Sequence, residues 1–256
     1  MITVKSEREL ERMRAAGAIV AEVLSAAEEW VRPGVSTAEI DRRAAEIIRR
    51  RGATPSFLGY KGFPASICAS INEEVVHGIP SERRVLREGD LFLIDVGACW
   101  RKYHADAART LPVGKVSAPD RALLEATRGA LARGVAQVRP GRRVSDIARA
   151  VERDARALGY DLVRKYGGHG IGTRLHEDPH VPNVEEEVVE DVELVEGMVL
   201  AIEPMLTAGG GAVRTLRDGW TVVTADGKRS AHFEDTVAVT ADGPEPLTCG
   251  PAAAVE

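Results

Sequence analysis

The chain has 256 residues, of which 44% are apolar and 29% charged, with a formal net charge of -5. That balance supports a sizeable buried core and excludes a disordered chain. The slight acidity excludes a strong electrostatic footprint for nucleic acid. The 28 Arg and 6 Lys are spread along the chain rather than clustered. Apolar runs such as Leu91–Ile94 are far too short to cross a bilayer, and residues 1–14 lack the apolar stretch of a secretory signal, so no membrane partner is expected. Cys68, Cys99 and Cys249 form no CxxC pair and leave one over, which suits a reducing cytoplasm.

Leu10, Met13, Gly17, Val20, Leu24, Ala27 and Val31 recur in steps of three and four, one stripe of a long amphipathic helix ended by Pro33-Gly34. Ser36 and Glu39 have capping-box spacing, and Ile40, Ala44 and Ile47 mark a second helix that stops at Gly52. Leu91–Ile94 reads as a buried strand, joined by a short turn to a second strand through Tyr103–Thr110. Leu123, Leu124, Leu131, Val135 and Val138 then mark a third helix.

From there the pattern repeats. Val138-Arg139-Pro140-Gly141 reproduces Val31-Arg32-Pro33-Gly34. The same shift takes Glu39-Ile40 to Asp146-Ile147 and Gly52 to Gly159, and one residue more takes Glu88-Gly89 to Glu196-Gly197. Several matches in order at nearly one offset predict a duplication, about 6–112 and about 118–240, each half helix-helix-strand-strand. The expected architecture is α+β, with two pseudo-symmetric halves around one curved antiparallel sheet in a single domain spanning 1–256. Val184–Glu196 reads as an exposed loop with a short strand, and the Ala-, Gly- and Pro-rich tail from Thr240 as frayed.

The repeat directs attention to carboxylates. Asp95 ends one apolar strand and Glu203 ends its counterpart. Either alone reads equally well as a strand-to-turn residue. Together they suggest that the halves converge on one centre. Asp106 lies where the chain returns on a neighbouring strand, and Glu234 lies in another strand-like run. Four carboxylates facing one point repel strongly, and a pair of divalent cations is the economical way to hold them.

Gly167-Gly168-His169-Gly170-Ile171-Gly172 sets His169 among glycines, where backbone can approach a ligand closely; a turn with an incidental histidine is the alternative. No Gly-Lys-Ser/Thr follows, so this is no phosphate cradle, and Gly114-Lys115 fails the same test. His176-Glu177-Asp178-Pro179-His180 matches HExxH, but Pro179 is incompatible with the helix that a zinc protease needs. His77 sits on a turn, and His104 and His232 read as ordinary strand residues. No GxSxG elbow occurs, and Cys68 in Ile67-Cys68-Ala69 reads as packed rather than nucleophilic.

Ile94-Asp95-Val96-Gly97, His104-Ala105-Asp106, Gly168-His169-Gly170-Ile171-Gly172, Ala201-Ile202-Glu203-Pro204 and Phe233-Glu234-Asp235-Thr236 stand in the order and spacing of methionine aminopeptidases. The chain resembles that family from about Ile2 to Gly243, and its type I, bacterial-style branch in particular. The 34-residue step from His169 to Glu203 leaves no room for the inserted subdomain of type II. The resemblance implies the pita-bread fold and a cytoplasmic, monomeric enzyme. It would remove the N-terminal methionine of nascent polypeptides when the second residue is small, possible ribosome contact included. It implies two divalent ions (Co, Mn, Fe or Zn) on Asp95, Asp106, His169, Glu203 and Glu234. Asp106 and Glu234 would bridge them, and an activated water would attack the first peptide carbonyl. Glu203 is the expected proton shuttle, and His77 and His176 the substrate-contacting pair. Tyr60, Phe63, Cys68, Leu175 and Trp220 are the expected wall of the methionine pocket.

The chain departs from the family pattern at Asp235, where many members carry His, at Ala105 in place of Gly, at Ala107-Ala108 where a hydroxyl residue is common, and at Leu175 in place of an aromatic. These positions bear on metal affinity and pocket shape more than on reaction type. Xaa-Pro aminopeptidases and prolidases share the fold and ligand set but normally carry an extra N-terminal domain. A non-catalytic binding relative would be expected to have lost ligands, and all five are present.

Overall fold

The computed structural model describes residues 2–249. The first half runs through α1 (Glu7–Trp30), α2 (Thr37–Arg50), β1 (Thr54–Pro55), β2 (Ile67–Ile71), β3 (Glu74–Val76), β4 (Leu91–Trp100) and β5 (Tyr103–Pro112). The second runs through α3 (Ala118–Val135), α4 (Val144–Ala157), β6 (Asp161–Leu162), β7 (Gly168–Gly170), β8 (Glu177–Val181), β9 (Val199–Ile202) and β10 (Met205–Thr207). It ends with β11 (Val213–Thr215), β12 (Val222–Thr224), β13 (Ser230–His232), β14 (Asp235–Thr240) and β15 (Gly243–Pro246). Among the described residues no helix is long and apolar enough to cross a membrane.

The helices start where the sequence places caps. Ser6 and Glu9 close a capping box on α1, the Ser6 amide donating to the Glu9 carboxylate at 2.9 Å. Ser36 accepts from the Glu39 amide on α2, and Ser117 from the Asp120 amide on α3. The apolar stripe of α1 is buried from Leu10 to Ala27. Gly17 in that stripe is a contact position: a Cβ there would lie 2.1 Å from the Leu247 carbonyl oxygen.

The duplication is visible in backbone geometry. Gly34 donates to the Leu86 carbonyl, and its repeat mate Gly141 donates to the Leu194 carbonyl, both at 2.9 Å. Leu86 and Leu194 donate back to the carbonyls of Val35 and Arg142. The repeat-related glycines Gly34 and Gly141, Gly52 and Gly159, and Gly89 and Gly197 all take positive φ.

β4 and β5 form a ten-residue hairpin whose turn residues, Arg101 and Lys102, both have positive φ, as a tight two-residue turn requires. β2 and β1 pair with the other edge of β4. The second half builds a five-stranded sheet in the order β15-β14-β9-β7-β8. The single curved sheet of expectation is thus two larger antiparallel sheets and two three-stranded ones. The larger pair meet at one bridge, Ala108 to Glu234. One core layer, including Phe92, lies under α1 and α2; another, including Phe233, lies under α3 and α4. Truncating either fully buried ring would cost about 3–5 kcal/mol.

Two expectations need correction. The 184–196 segment is not simply exposed: Val184 and Leu194 are fully buried, and its strand is a single bridge from Glu193 to Arg143. Only a 3-10 turn at Glu185–Glu187 interrupts it otherwise. The tail does not fray at Thr240, because β15 pairs with β14 and Leu247 and Thr248 are buried. Residues 250–256 lie outside the described residues.

Candidate metal centre

The hairpin supplies two carboxylates on one face. Asp95 sits opposite Cys68 on one side and Ala108 on the other, and Asp106 sits opposite Gly97, two positions along. Glu234 precedes β14 and reaches the same point across the Ala108 bridge. His169 on β7 pairs with Ala201 of β9, and Glu203 follows the end of β9. Antiparallel registry thus brings residues 139 positions apart in the chain, from Asp95 to Glu234, to the seam where the two larger sheets meet.

Ligand atoms of Asp106, His169 and Glu234 lie within 4.8 Å of one another. His169 Nε2 is 3.7 Å from Asp106 Oδ2 and 3.8 Å from Glu203 Oε1. The His169 Nδ1–H donates to the Gly170 carbonyl at 2.9 Å, which turns the Nε2 lone pair toward the carboxylates. The Thr236 hydroxyl accepts from the Asp106 amide at 3.0 Å and lies 3.1 Å from Asp106 Oδ1.

Burial and mutual repulsion shape the electrostatics. Desolvation, then the neighbouring Asp106 charge, pushes Asp95, Glu203 and Glu234 well above the usual carboxylate range. Burial raises Asp106 to about 6 and lowers His169 to about 4. Asp95 Oδ1 is buried with no hydrogen-bond partner. Crowded buried carboxylates, an imidazole with its lone pair aimed inward and an orphaned oxygen are a donor set that a divalent cation fits. Oxygen-rich sites of this kind accept Mn, Fe or Co as readily as Zn.

These residues form the floor of a cavity of about 200 Å³. Tyr60, Phe63, Cys68, Leu175 and Trp220 line its wall, with Phe57 and Val76, and Lys61 stands at its lip. Phe63 and Trp220 meet edge to face at 5.1 Å. Burial, then the Asp95 charge, pushes the Cys68 thiol up, so it stays protonated and packed. His77 meets the rings of Tyr166 and Trp220 edge-on, and burial lowers it to about 4. His176 Nδ1 is 2.9 Å from the Tyr60 hydroxyl, and its ring lies 4.2 Å from that of His169. The structure therefore brings all twelve sequence-identified candidates to one cavity.

The HExxH string runs from a bend at His176 into β8, and His176 lines the cavity while His180 bonds the Gly168 carbonyl. The sequence reading missed His232. It is 2% exposed, lines the cavity and sits 3.8 Å from Glu203 Oε2. No local signal in the sequence marked it, since β13 ends at His232 and Glu234 lies beyond that strand.

The sequence profile described as metallopeptidase family M24 matches residues 11–241. The chain is 51% identical over 256 residues to methionine aminopeptidase 1 of Mycobacterium tuberculosis, covering 98% of this chain and 96% of that one. It is 49% identical over 248 residues to the methionine aminopeptidase of Clostridium acetobutylicum, covering 97% and 99%. The crystal structure of methionine aminopeptidase from Thermotoga maritima superposes with a TM-score of 0.95 at 39% identity, covering 98% and 100%. With a profile match over residues 11–241, relatives near half identity and the same fold around the carboxylate cluster, this chain belongs to metallopeptidase family M24.

Proposed function

We propose that this chain is a methionine aminopeptidase that removes the first residue of nascent polypeptides when the second is small. The observation that carries the reading is one cavity with two chemistries: buried carboxylates and His169 at its floor, an aromatic and sulfur-bearing wall above. At about 200 Å³ it is smaller than most ligand sites, which suits one side chain rather than a peptide. Methionine is unbranched and polarizable and favours aromatic edges such as those of Phe63 and Trp220.

Asp95, Asp106, His169, Glu203 and Glu234 would hold the metal, two divalent ions in this reading. Bound there, the ions supply Lewis acidity and lower the pKa of water toward neutrality. Glu203 carries the proton from the attacking water to the leaving amine, standing at the cavity floor just past the end of β9. His176, held by the Tyr60 hydroxyl, donates to the carbonyl oxygen as charge develops. His77 meets the amide nitrogen of the second residue. The wall excludes water and orients the methionine. Work on new N-termini belongs in the cytoplasm, where chains are made, and a monomer suffices because every named group is on one chain.

The test is hydrolysis of Met-Ala-Ser, Leu-Ala-Ser and Gly-Pro peptides with Mn or Co, and again with chelator. Cleavage of Met-Ala-Ser alone, abolished by chelator, is expected. One methylene is worth only ~1–3 kcal/mol, so norleucine should be cut slowly. Equal cleavage of the Met and Leu peptides, or preference for Gly-Pro, overturns the reading.

A further inference from the structure

His232 stands apart from the other histidines of the cavity. It is 2% exposed, and neither ring nitrogen has a hydrogen-bond partner. A buried imidazole left unpaired costs free energy that an apolar residue in the same place would not. The ring is anchored on β13, where it pairs with Met205 of β10, so its direction is set by the sheet. Its Nε2 lies 3.8 Å from Glu203 Oε2. The other oxygen of the same carboxylate, Oε1, is 3.8 Å from His169 Nε2. Glu203 is thus divided between two imidazoles. His169 has its Nδ1–H committed to the Gly170 carbonyl and offers only a lone pair on that side. His232 has no such commitment, so its N–H is available to the carboxylate.

We infer that His232 is a positioning residue, whose Nε2–H holds Oε2 of Glu203 and leaves Oε1 to face the metal ligands. Closure by about 1 Å brings the pair to hydrogen-bond distance, within the reach of one Glu side-chain torsion. The consequence is a division of labour between the two oxygens. Oε1 would be left for a metal ion beside His169, and Oε2, held by the imidazole, would be the atom that takes up and returns the proton. A packing role predicts neither the unpaired nitrogens nor a carboxylate oxygen beside Nε2. The inference deepens the proposed role of Glu203 as proton carrier and rests on it.

The experiment compares His232→Leu, His232→Met and His232→Gln with wild type, and runs Glu203→Gln beside them. Each is assayed for kcat and KM on Met-Ala-Ser, for Mn affinity by calorimetry and for Mn bound per chain at saturation. Gln restores an N–H at similar reach; Leu and Met fill the volume without one. The expected result is a loss of about 10–100-fold in kcat and about tenfold in Mn affinity for Leu and Met, the usual range for partners of metal ligands. KM and saturating stoichiometry should not change, and Gln should recover most of both losses. Wild-type kcat and affinity in Leu and Met would overturn the inference, as would unfolding of both, which assigns the ring to packing. Loss of one Mn per chain would make His232 a ligand rather than a positioning residue, and overturns it too. If Glu203→Gln itself turns over within about tenfold of wild type, the proton-carrier reading fails; if it is inactive while Leu and Met match wild type, only the role of His232 fails.

Discussion

Ala108 and Glu234 exchange two backbone hydrogen bonds, Glu234 N to Ala108 O at 2.9 Å and Ala108 N to Glu234 O at 3.3 Å. This bridge joins the two larger sheets at the point where their carboxylates converge. Arg109 clamps it. Its guanidinium donates to the Glu234 carbonyl, to the Ala108 carbonyl and to Asp235 Oδ1, the last at 2.6 Å. The Thr248 hydroxyl donates to the same Asp235 oxygen, which ties the C-terminal strand to the seam. Asp235 is thus the partner of Arg109 in this seam.

Arg109→Met should therefore cost about 3 kcal/mol, the low end for breaking a mostly buried pair, since Asp235 loses its cation and keeps only the Thr248 hydroxyl. Arg109→Lys should recover only part, because a point charge cannot serve the carbonyl and the carboxylate together. Urea unfolding measures both. A Met variant within about 0.5 kcal/mol of wild type would show that the clamp is not structural.

Asp106 and Glu203 should separate metal holding from proton transfer. Asp106→Asn removes a charge from the tightest ligand group and should lose both metal and activity. Glu203→Gln keeps a ligating oxygen and removes the proton carrier. It should keep most of its metal while activity falls by several orders of magnitude. Metal analysis on the same samples as the kinetics distinguishes the two. Equal metal loss in both variants would make Glu203 a ligand only.

His176→Ala and His77→Ala should fold and keep their metals, yet lose on the order of 10²–10³ in kcat, as loss of a preorganised donor does. His176 has a structural anchor to lose, the Tyr60 hydroxyl at 2.9 Å. Tyr60→Phe should then give a smaller loss in the same direction. Near wild-type kcat in either Ala variant assigns that histidine to its turn.

The loop that presents Leu175 and His176 is stapled by the N-terminal segment. Glu177 Oε2 accepts from Lys5 Nζ at 3.1 Å and from the Thr3 hydroxyl at 2.5 Å, and Glu177 Oε1 accepts from the Arg174 amide at 3.1 Å. Burial pushes the Glu177 carboxyl up, but the bonds from Thr3 and Arg174 and the Lys5 charge outweigh it and hold the group below its ordinary value. A depressed carboxylate contributes stability that is complete above its unfolded pKa and lost as pH falls through the folded one. Wild type should therefore lose stability as pH drops below about 4.5, with a shallower loss in Glu177→Gln. Thermal unfolding from pH 7 to 3 follows this. Parallel curves for the two proteins would refute the staple's electrostatic share.

Local pattern carried much of the architecture. Helical periodicity marked α1 and α2, Ser-x-x-Glu marked the start of α2, and repeated Val-Arg-Pro-Gly marked two equivalent turns. These are short-range effects, set by side-chain period and backbone sterics within a few residues. Pro179 sufficed to exclude a zincin helix for the same reason, and β8 is extended there.

Convergence is another matter. Asp95 and Glu203 were legible as matched carboxylates closing apolar runs in the two halves, though β4 runs on past Asp95 to Trp100, and Asp106 and Glu234 were legible from the returning strand and a further strand-like run. His232 carries no such mark and looked like any strand histidine, because its unpaired nitrogens exist only once β13 is packed against the cavity floor. The tail looked frayed by composition, yet Leu247 lies over Gly17, a contact between residues 230 positions apart. Arg109 with Asp235, and Lys5 with Glu177, are likewise pairs that no local period can announce. Period is a property of neighbours in the chain, whereas burial and pairing are decided by which distant surfaces the fold presses together.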